Sequence, residues 1–216
     1  MNETDLKLYA ITDRQWLHGA RLSEHVKLAI EGGATMIQIR DKDILSTDSD
    51  AGLKDEYNEA LEIKRICHEH KVPLIINDNV QFAIDIDADG VHLGQDDMNT
   101  AEARKLLGAD KIIGVTAKTV EQAKKAQADG ADYLGSGAVF GSTTKLNAKP
   151  MTKELLREIT AAVDIPVVAI GGINADNAST LKGTGIAGIA VVGAIFASED
   201  IKAAAKALAE ICDNML

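Results

Sequence analysis

Aromatic side chains make up only 3% of the 216 residues: one Trp, three Tyr and three Phe. Proteins that grip nucleic acid stack bases on such rings and line them with a basic stripe. This chain has neither, since 33 acidic against 23 basic residues leave a net charge of −10, and no nucleic-acid partner is expected. An anionic small molecule stays possible, because a site needs only a few local cations. Long apolar runs are missing too. None approaches the roughly 20 residues of a membrane span, and Met1–Lys7 is polar, without the apolar core of a signal peptide. No membrane is therefore expected. Cysteine is nearly absent. Cys67 and Cys212 lie far apart with no Cys-x-x-Cys spacing, so they read as buried free thiols in a reducing cytoplasm, not as a disulfide or a zinc site. With 3 Pro, 18 Gly and 46% hydrophobic residues, the composition excludes collagen, coiled coil and disorder.

What the chain does have is a repeated pattern. A short β-branched apolar run ends in Gly or polar residues, and an Ala/Leu/Lys/Glu-rich stretch follows. The runs are Leu8–Thr12, Met36–Arg40, Pro73–Asn77, Gly90–Leu93, Lys111–Thr116, Tyr133–Gly137, Pro166–Ile170 and Gly188–Gly193. Helices are expected at Asp55–His70, Ala101–Leu107, Thr119–Asp129, Thr152–Ala162 and Asp200–Asn214. Ala60, Ile63, Ile66 and Cys67 fall on one helical face. Thr119 with Gln122 forms a capping box, and Thr152 is an N-cap. Runs such as Leu74-Ile75-Ile76 are apolar on both faces, as in parallel sheets covered by helices. Eight strand–helix alternations predict an α/β fold, a (β/α)₈ TIM barrel formed by residues 1–216 as a single domain. A doubly wound sheet is disfavoured, because the first strand ends in Thr12-Asp13-Arg14 and not in a G-x-G-x-x-G turn. The Asp- and Ser-rich stretch Asp43–Gly52 reads as a surface loop or a lid over the site.

In such a barrel the active site lies at the C-terminal ends of the strands. The second run ends Gln38-Ile39-Arg40-Asp41-Lys42. A two-residue period places Gln38, Arg40 and Lys42 on one face, suited to a phosphate or diphosphate; a surface salt-bridge cluster with Asp41 and Asp43 is the plainer alternative. Asp78 follows the third run, and Asp96 and Asp97 follow the fourth. Two carboxylates, completed by phosphate oxygens and water, are a usual Mg²⁺ donor set, although each could instead cap a helix. His92 reads equally well as a satisfied core histidine. Ser142-Thr143-Thr144-Lys145 supplies donors to an anion without being a Walker loop. Gly171-Gly172 and Gly193 follow the last two runs, where barrels often hold a phosphate on backbone N–H groups. Two anion sites across one mouth suggest joining two substrates with pyrophosphate leaving.

These motifs, together with Leu8-Tyr9-Ala10-Ile11-Thr12-Asp13, Gly114-Val115-Thr116-Ala117 and Ala169-Ile170-Gly171-Gly172-Ile173, resemble the thiamine phosphate synthase family along nearly the whole chain. The resemblance implies a (β/α)₈ transferase that couples a hydroxymethylpyrimidine diphosphate to a thiazole phosphate or its carboxylate. It implies Gln38, Ile39, Arg40, Asp41, Lys42, Asn77 and Lys145 around the diphosphate, with Arg40, Lys42 and Lys145 as catalytic cations. Asp78 and Asp97 would bind Mg²⁺ as the cofactor, and Thr116 would lie near the pyrimidine. Ser142, Thr143 and Thr144 would meet the thiazole substrate, whose phosphate would rest on Gly172, Val192 and Gly193. The chain departs from the family pattern where Thr116 and Gly193 replace Ser, Lys118 replaces His and Gly141-Ser142 replaces Pro-Thr. Alternatives on the same barrel are a thiazole tautomerase, a non-catalytic ligand-binding protein and a general phosphosugar enzyme.

Overall fold

The computed structural model describes residues 3–40, 50–141 and 150–216. Eight strands run in chain order: β1 (Leu8–Ile11), β2 (Met36–Ile39), β3 (Leu74–Asn77), β4 (Gly90–Leu93), β5 (Ile112–Thr116), β6 (Tyr133–Gly137), β7 (Val167–Ile170) and β8 (Gly188–Val191). Each pairs in parallel with the next, and β8 returns to β1, closing the barrel. The helices are α1 (Leu22–Glu31), α2 (Asp50–Glu69), α3 (Val80–Asp85), α4 (Thr100–Leu107), α5 (Val120–Ala128), α6 (Lys153–Ala161), α7 (Gly193–Phe196) and α8 (Ile201–Met215). Between β7 and β8 a short 3₁₀ turn, Ala178–Leu181, stands where a helix would be.

Alternate side chains on each strand serve two cores. The outer one packs strands against helices and includes Ile37, Ile39, Leu74, Ile76, Leu134 and Ala169, with Ala60, Ile63, Ile66 and Cys67 of α2. The inner one fills the barrel with Tyr9, Ile11, Met36, Ile75, Ile112, Tyr133, Val168 and Ala190. Both faces are therefore dry, which is why the strand runs do not alternate with polar residues. Space inside is created by glycine. A Cβ on Gly114 would lie 2.0 Å from Cζ of Tyr133, and one on Gly135 would lie 3.0 Å from Cε1 of His92.

Helix starts are secured by side-chain caps. Asn79, Asn99, Thr119, Thr152 and Asp200 each accept a backbone N–H in the first turn of α3, α4, α5, α6 and α8, each contributing typically about 1 kcal/mol. The expected box at α5 is offset by one residue. Thr119 Oγ1 does accept from the Gln122 backbone N–H, but the side-chain Oε1 of Gln122 takes the N–H of Lys118.

The opposite end of the barrel is tied by the residues just before β2, β4 and β6. Thr35 Oγ1 accepts the N–H of Leu8 at 2.9 Å, Asp89 Oδ2 that of Leu74 at 2.8 Å, and Asp132 Oδ2 that of Ile113 at 2.7 Å. Each tie satisfies a backbone donor at the start of an odd strand, the first residue of β1 and of β3 and the second of β5. The Asp43–Gly52 expectation is corrected at its end: α2 begins at Asp50, so residues 50–52 are helical. Residues 43–49, and with them the lid reading, lie outside the described residues.

Candidate active site

The strand ends collect their polar groups at one mouth. Thr12, buried after β1, donates its N–H to the Gln38 carbonyl at 2.9 Å. Its Oγ1 accepts the N–H of Arg40 at 3.1 Å. Arg40 thus continues the line of β2, and its Nη1 lies 3.7 Å from Asp13 Oδ2, with the two side chains 14% and 17% exposed. Among the described residues Asp13 is the partner of Arg40; Asp41 and Asp43, the alternative cluster, lie outside them. Two further hydrogen bonds hold Asp13, with Gln15 donating to it from its backbone N–H and its Nε2. Gln38 shares the inward face with Arg40, as the two-residue period predicts, and is buried. Ile39 requires a correction. Its side chain belongs to the outer core, because neighbouring residues of a strand point to opposite faces, so only its backbone is available to a ligand. Asp41 and Lys42 lie outside the described residues, as do Ser142, Thr143, Thr144 and Lys145.

The two carboxylates stand at neighbouring strand ends, since Asn77 pairs with His92 across β3 and β4. Neither is a helix cap; Asn79 and Asn99 fill those roles. Asp78 adopts φ +61°, in the left-handed region. That conformation costs about 1 kcal/mol or more for a residue with a Cβ. It is held by the Asp78 N–H donating to the His92 carbonyl at 2.8 Å and by Asn77 Nδ2 donating to Asp78 Oδ2 at 2.6 Å. Asp97 Oδ2 accepts the Gly94 N–H at 2.6 Å. A Cβ on Gly94 would come within 2.8 Å of that same oxygen. Among the described residues no cluster of three or more His, Cys, Asp or Glu forms a ready cation cage. Two hard carboxylates completed by phosphate oxygens and water nevertheless fit Mg²⁺, which keeps several non-protein ligands.

Beside them, on the neighbouring strand, Thr116 ends β5 with its Oγ1 3.0 Å from His92 Nε2, while Gln95 Nε2 donates to the Thr116 carbonyl at 2.5 Å. His92 is indeed a satisfied histidine: its Nδ1 is 3.0 Å from the Tyr133 hydroxyl. Gly171 and Gly172 take φ +101° and +65°. A Cβ on Gly172 would sit 2.7 Å from the Phe140 carbonyl, so this turn lies directly against the segment that follows β6. Asn177 Nδ2 donates to the Gly172 carbonyl at 2.9 Å, fixing it further. Val192 precedes α7, whose first turn has no side-chain cap. The glycine at 193 has a physical reason. A Cβ there would meet Cη2 of Trp16 at 3.2 Å, so Trp16 fills the space.

The site residues that pattern reading missed are Asp13, Trp16, Tyr9 and Tyr133. Burial pushes the Tyr9 and Tyr133 phenols well above their ordinary range, keeping them protonated. Their signal was present: two of the few aromatics sit at inward strand positions, where a barrel normally places Val, Ile or Leu.

A closed parallel barrel with a cation, two carboxylates and glycine turns at its strand ends defines a (β/α)₈ enzyme that handles phosphorylated ligands. Residues 8–195 match the family model described as thiamine monophosphate synthase, and the chain belongs to that family. It is 48% identical over 213 residues to the thiamine-phosphate synthase of Ruminiclostridium cellulolyticum, covering 99% of this chain and 98% of that one. The enzyme of the same name from Clostridium novyi is 47% identical over 210 residues, with 97% and 100% covered. Among solved structures, thiamine phosphate pyrophosphorylase from Pyrococcus furiosus superposes with a TM-score of 0.87 at 38% identity, covering 99% and 98%.

Proposed function

We propose that residues 1–216 act as one catalytic domain in the cytoplasm, joining a hydroxymethylpyrimidine diphosphate to a thiazole phosphate to give thiamine phosphate and pyrophosphate. The observation that carries this reading is the combination at one mouth of Arg40, the Asp78/Asp97 pair and the Gly171-Gly172 turn. A tautomerase would need one phosphate site and no carboxylate pair. The two buried free thiols suit a reducing compartment.

Arg40 and Gln38, with Asn77, Asp41, Lys42 and Lys145, would bind the diphosphate. Asp78 and Asp97 would hold Mg²⁺, which when bound neutralises charge on the leaving group. Arg40, Lys42 and Lys145 would stabilise the charge that develops as the C–O bond to pyrophosphate breaks. The departing pair of electrons leaves a benzylic-type cation, stabilised by the ring amino group. The thiazole nitrogen then supplies the electron pair for the new C–N bond. Thr116 would position the pyrimidine. Ser142 to Thr144, with backbone N–H groups of Gly172, Val192 and Gly193, would place the thiazole phosphate. No enzyme nucleophile is required.

The test mixes both substrates with Mg²⁺ and measures thiamine phosphate and pyrophosphate, using each thiazole form in turn. Stoichiometric formation of both products is expected. Asp78→Ala and Arg40→Ala should each lower turnover by about 10²–10³, the usual loss for one preorganised charged group, with thermal melting nearly unchanged. Absence of product from folded protein, or metal-independent turnover of thiazole phosphate alone, overturns the reading.

A further inference from the structure

Beneath the floor of the mouth, five side chains from five strands form one hydrogen-bonded chain across the barrel. Gln38 Nε2 donates to the Tyr9 hydroxyl at 2.5 Å. The Tyr9 and Tyr133 hydroxyls are 2.9 Å apart. Tyr133 continues to His92 Nδ1 at 3.0 Å, and His92 Nε2 reaches Thr116 Oγ1 at 3.0 Å. Tyr9 and Tyr133 meet edge to face with centroids 5.9 Å apart. Gly114 and Gly135 supply the room that the Tyr133 and His92 rings occupy. Gln38, Tyr9 and Tyr133 are 2%, 1% and 0% exposed, so no water competes for these bonds.

With the Gln38 amide nitrogen facing Tyr9 and His92 neutral, the proton count sets the direction of the chain. Each hydroxyl has one proton. Tyr9 accepts from Gln38, and among the described residues its hydroxyl has only Gln38 and Tyr133 as partners. Its own proton therefore goes to Tyr133, because the rest of its surroundings is the apolar inner core. Tyr133 then donates to His92 Nδ1. A neutral imidazole carries its proton on Nε2, which donates to Thr116 Oγ1. The Thr116 hydroxyl proton is left to point away from His92, toward the mouth. The reverse direction would bury the Tyr9 proton without an acceptor and turn the Thr116 proton inward.

We propose that Tyr9, Tyr133 and His92 are positioning residues that set the Thr116 hydroxyl as a donor to an acceptor atom of the pyrimidine substrate, while fixing the Gln38 amide at the other end. The inference rests on the coupling reaction proposed above and adds how its pyrimidine side is oriented. It explains why the position tolerates Thr in place of Ser: the chain needs the hydroxyl, and the extra methyl does not enter it. It also explains why aromatic residues, so scarce in this sequence, are spent inside the barrel.

The test has two arms. ¹⁵N NMR of the imidazole groups, with His92 assigned by its loss in His92→Gln, reads the tautomer without needing any activity. A proton on Nε2 with Nδ1 bare is expected, and a proton on Nδ1 overturns the proposal even if the enzyme couples its substrates. Steady-state kinetics form the second arm. Tyr133→Phe and Tyr9→Phe keep the rings and should each lower kcat/KM for the pyrimidine diphosphate about tenfold, the worth of one lost hydrogen bond. The KM for thiazole phosphate should stay unchanged. Tyr133→Phe combined with Thr116→Val should be no worse than Thr116→Val alone. Additive losses, or equal effects on both substrates, overturn the relay. If wild-type protein forms no product while the tautomer is as expected, the coupling reaction fails and the hydrogen-bonded chain stands.

Discussion

Gly114→Ala is the sharpest probe of the barrel interior. The added methyl would fall 2.0 Å from Cζ, 2.3 Å from the hydroxyl oxygen and 2.4 Å from Cε1 of Tyr133. Carbon atoms prefer separations of about 3.5–4.0 Å, so the overlap exceeds 1 Å at several atoms at once. Tyr133 is fully buried and bonded on both sides to Tyr9 and His92. Its ring cannot swing aside without breaking those bonds. Overpacking of a tight core costs about 1–3 kcal/mol, and this geometry places the variant at the upper end. For a chain of this size each kcal/mol lowers Tm by about 2–4 °C, so a drop of about 6–12 °C is expected by calorimetry. Gly135→Ala is the internal control. Its methyl would meet only His92, at 3.0 Å from Cε1 and 3.4 Å from Nε2. A shift of a few tenths of an ångström relieves that contact, and a Tm loss of about 2–4 °C or less follows. If Gly114→Ala melts within 1 °C of wild type, as roughly one-quarter kcal/mol would imply, the Tyr133 ring is not where the argument puts it. Equal losses for the two variants would refute the reasoning just as directly.

Arg104→Ala should destabilise strongly without touching the mouth. The guanidinium donates to the carbonyls of Gly108, Lys111 and Gly130 and pairs with Asp132 at 2.6 Å. Its removal strands acceptors at the closed end of the barrel, and a Tm loss of about 4–8 °C is expected, the equivalent of about 2 kcal/mol. Asp87 is bonded by Lys111 and Lys64, which hold its carboxyl down to about 2. A lowered carboxyl pKa stabilises above the unfolded value of 3.8, and the benefit is lost as pH falls toward 2. Asp87→Asn should therefore leave urea stability lower at pH 6 by a small amount, since the pairs are solvent-exposed, and equal to wild type near pH 2. Burial pushes the thiols of Cys67 and Cys212 up to about 12 and about 11. Neither should react with an aromatic disulfide reagent at pH 8 until the protein is unfolded, and native labelling at either would refute their burial.

Most of the barrel could be read from the residues because each strand is apolar on both faces and ends in Gly or polar groups. All eight runs became strands, with ends shifted by no more than two residues, as at Gly188–Val191. Of the helices not named from the sequence, α3 and α7 are short, whereas α1 carries a clear apolar face at Leu22, Val26, Ala29 and Ile30. The capping Asn79 of α3 stood inside a motif read for its chemistry, and six residues are too few to show a helical period. The start of α2 was masked by Asp and Ser, which disfavour helix by propensity but tolerate its first turn. At the site, Gln38 and Arg40 were legible because a two-residue period is a local property. The pairing of Arg40 with Asp13 and the seating of Trp16 against Gly193 were not. Both join residues that only barrel closure brings together. Tyr9 and Tyr133 each carried a signal as an aromatic at an inward strand position, but their pairing across 124 positions did not.

The side-chain ties at the closed end also bear on how the chain assembles. Thr35, Asp89 and Asp132 reach back only 27, 15 and 19 residues to Leu8, Leu74 and Ile113. Each closes a small loop, and closure entropy rises slowly from a low base at these lengths. The barrel can thus gather as successive two-strand units, each latched at its base before the ring shuts. Only the return of β8 to β1 spans the chain, from Ile189 to Leu8. That seam has the largest sequence separation of any strand pair, and by contact order its closure is the slow step expected of this topology.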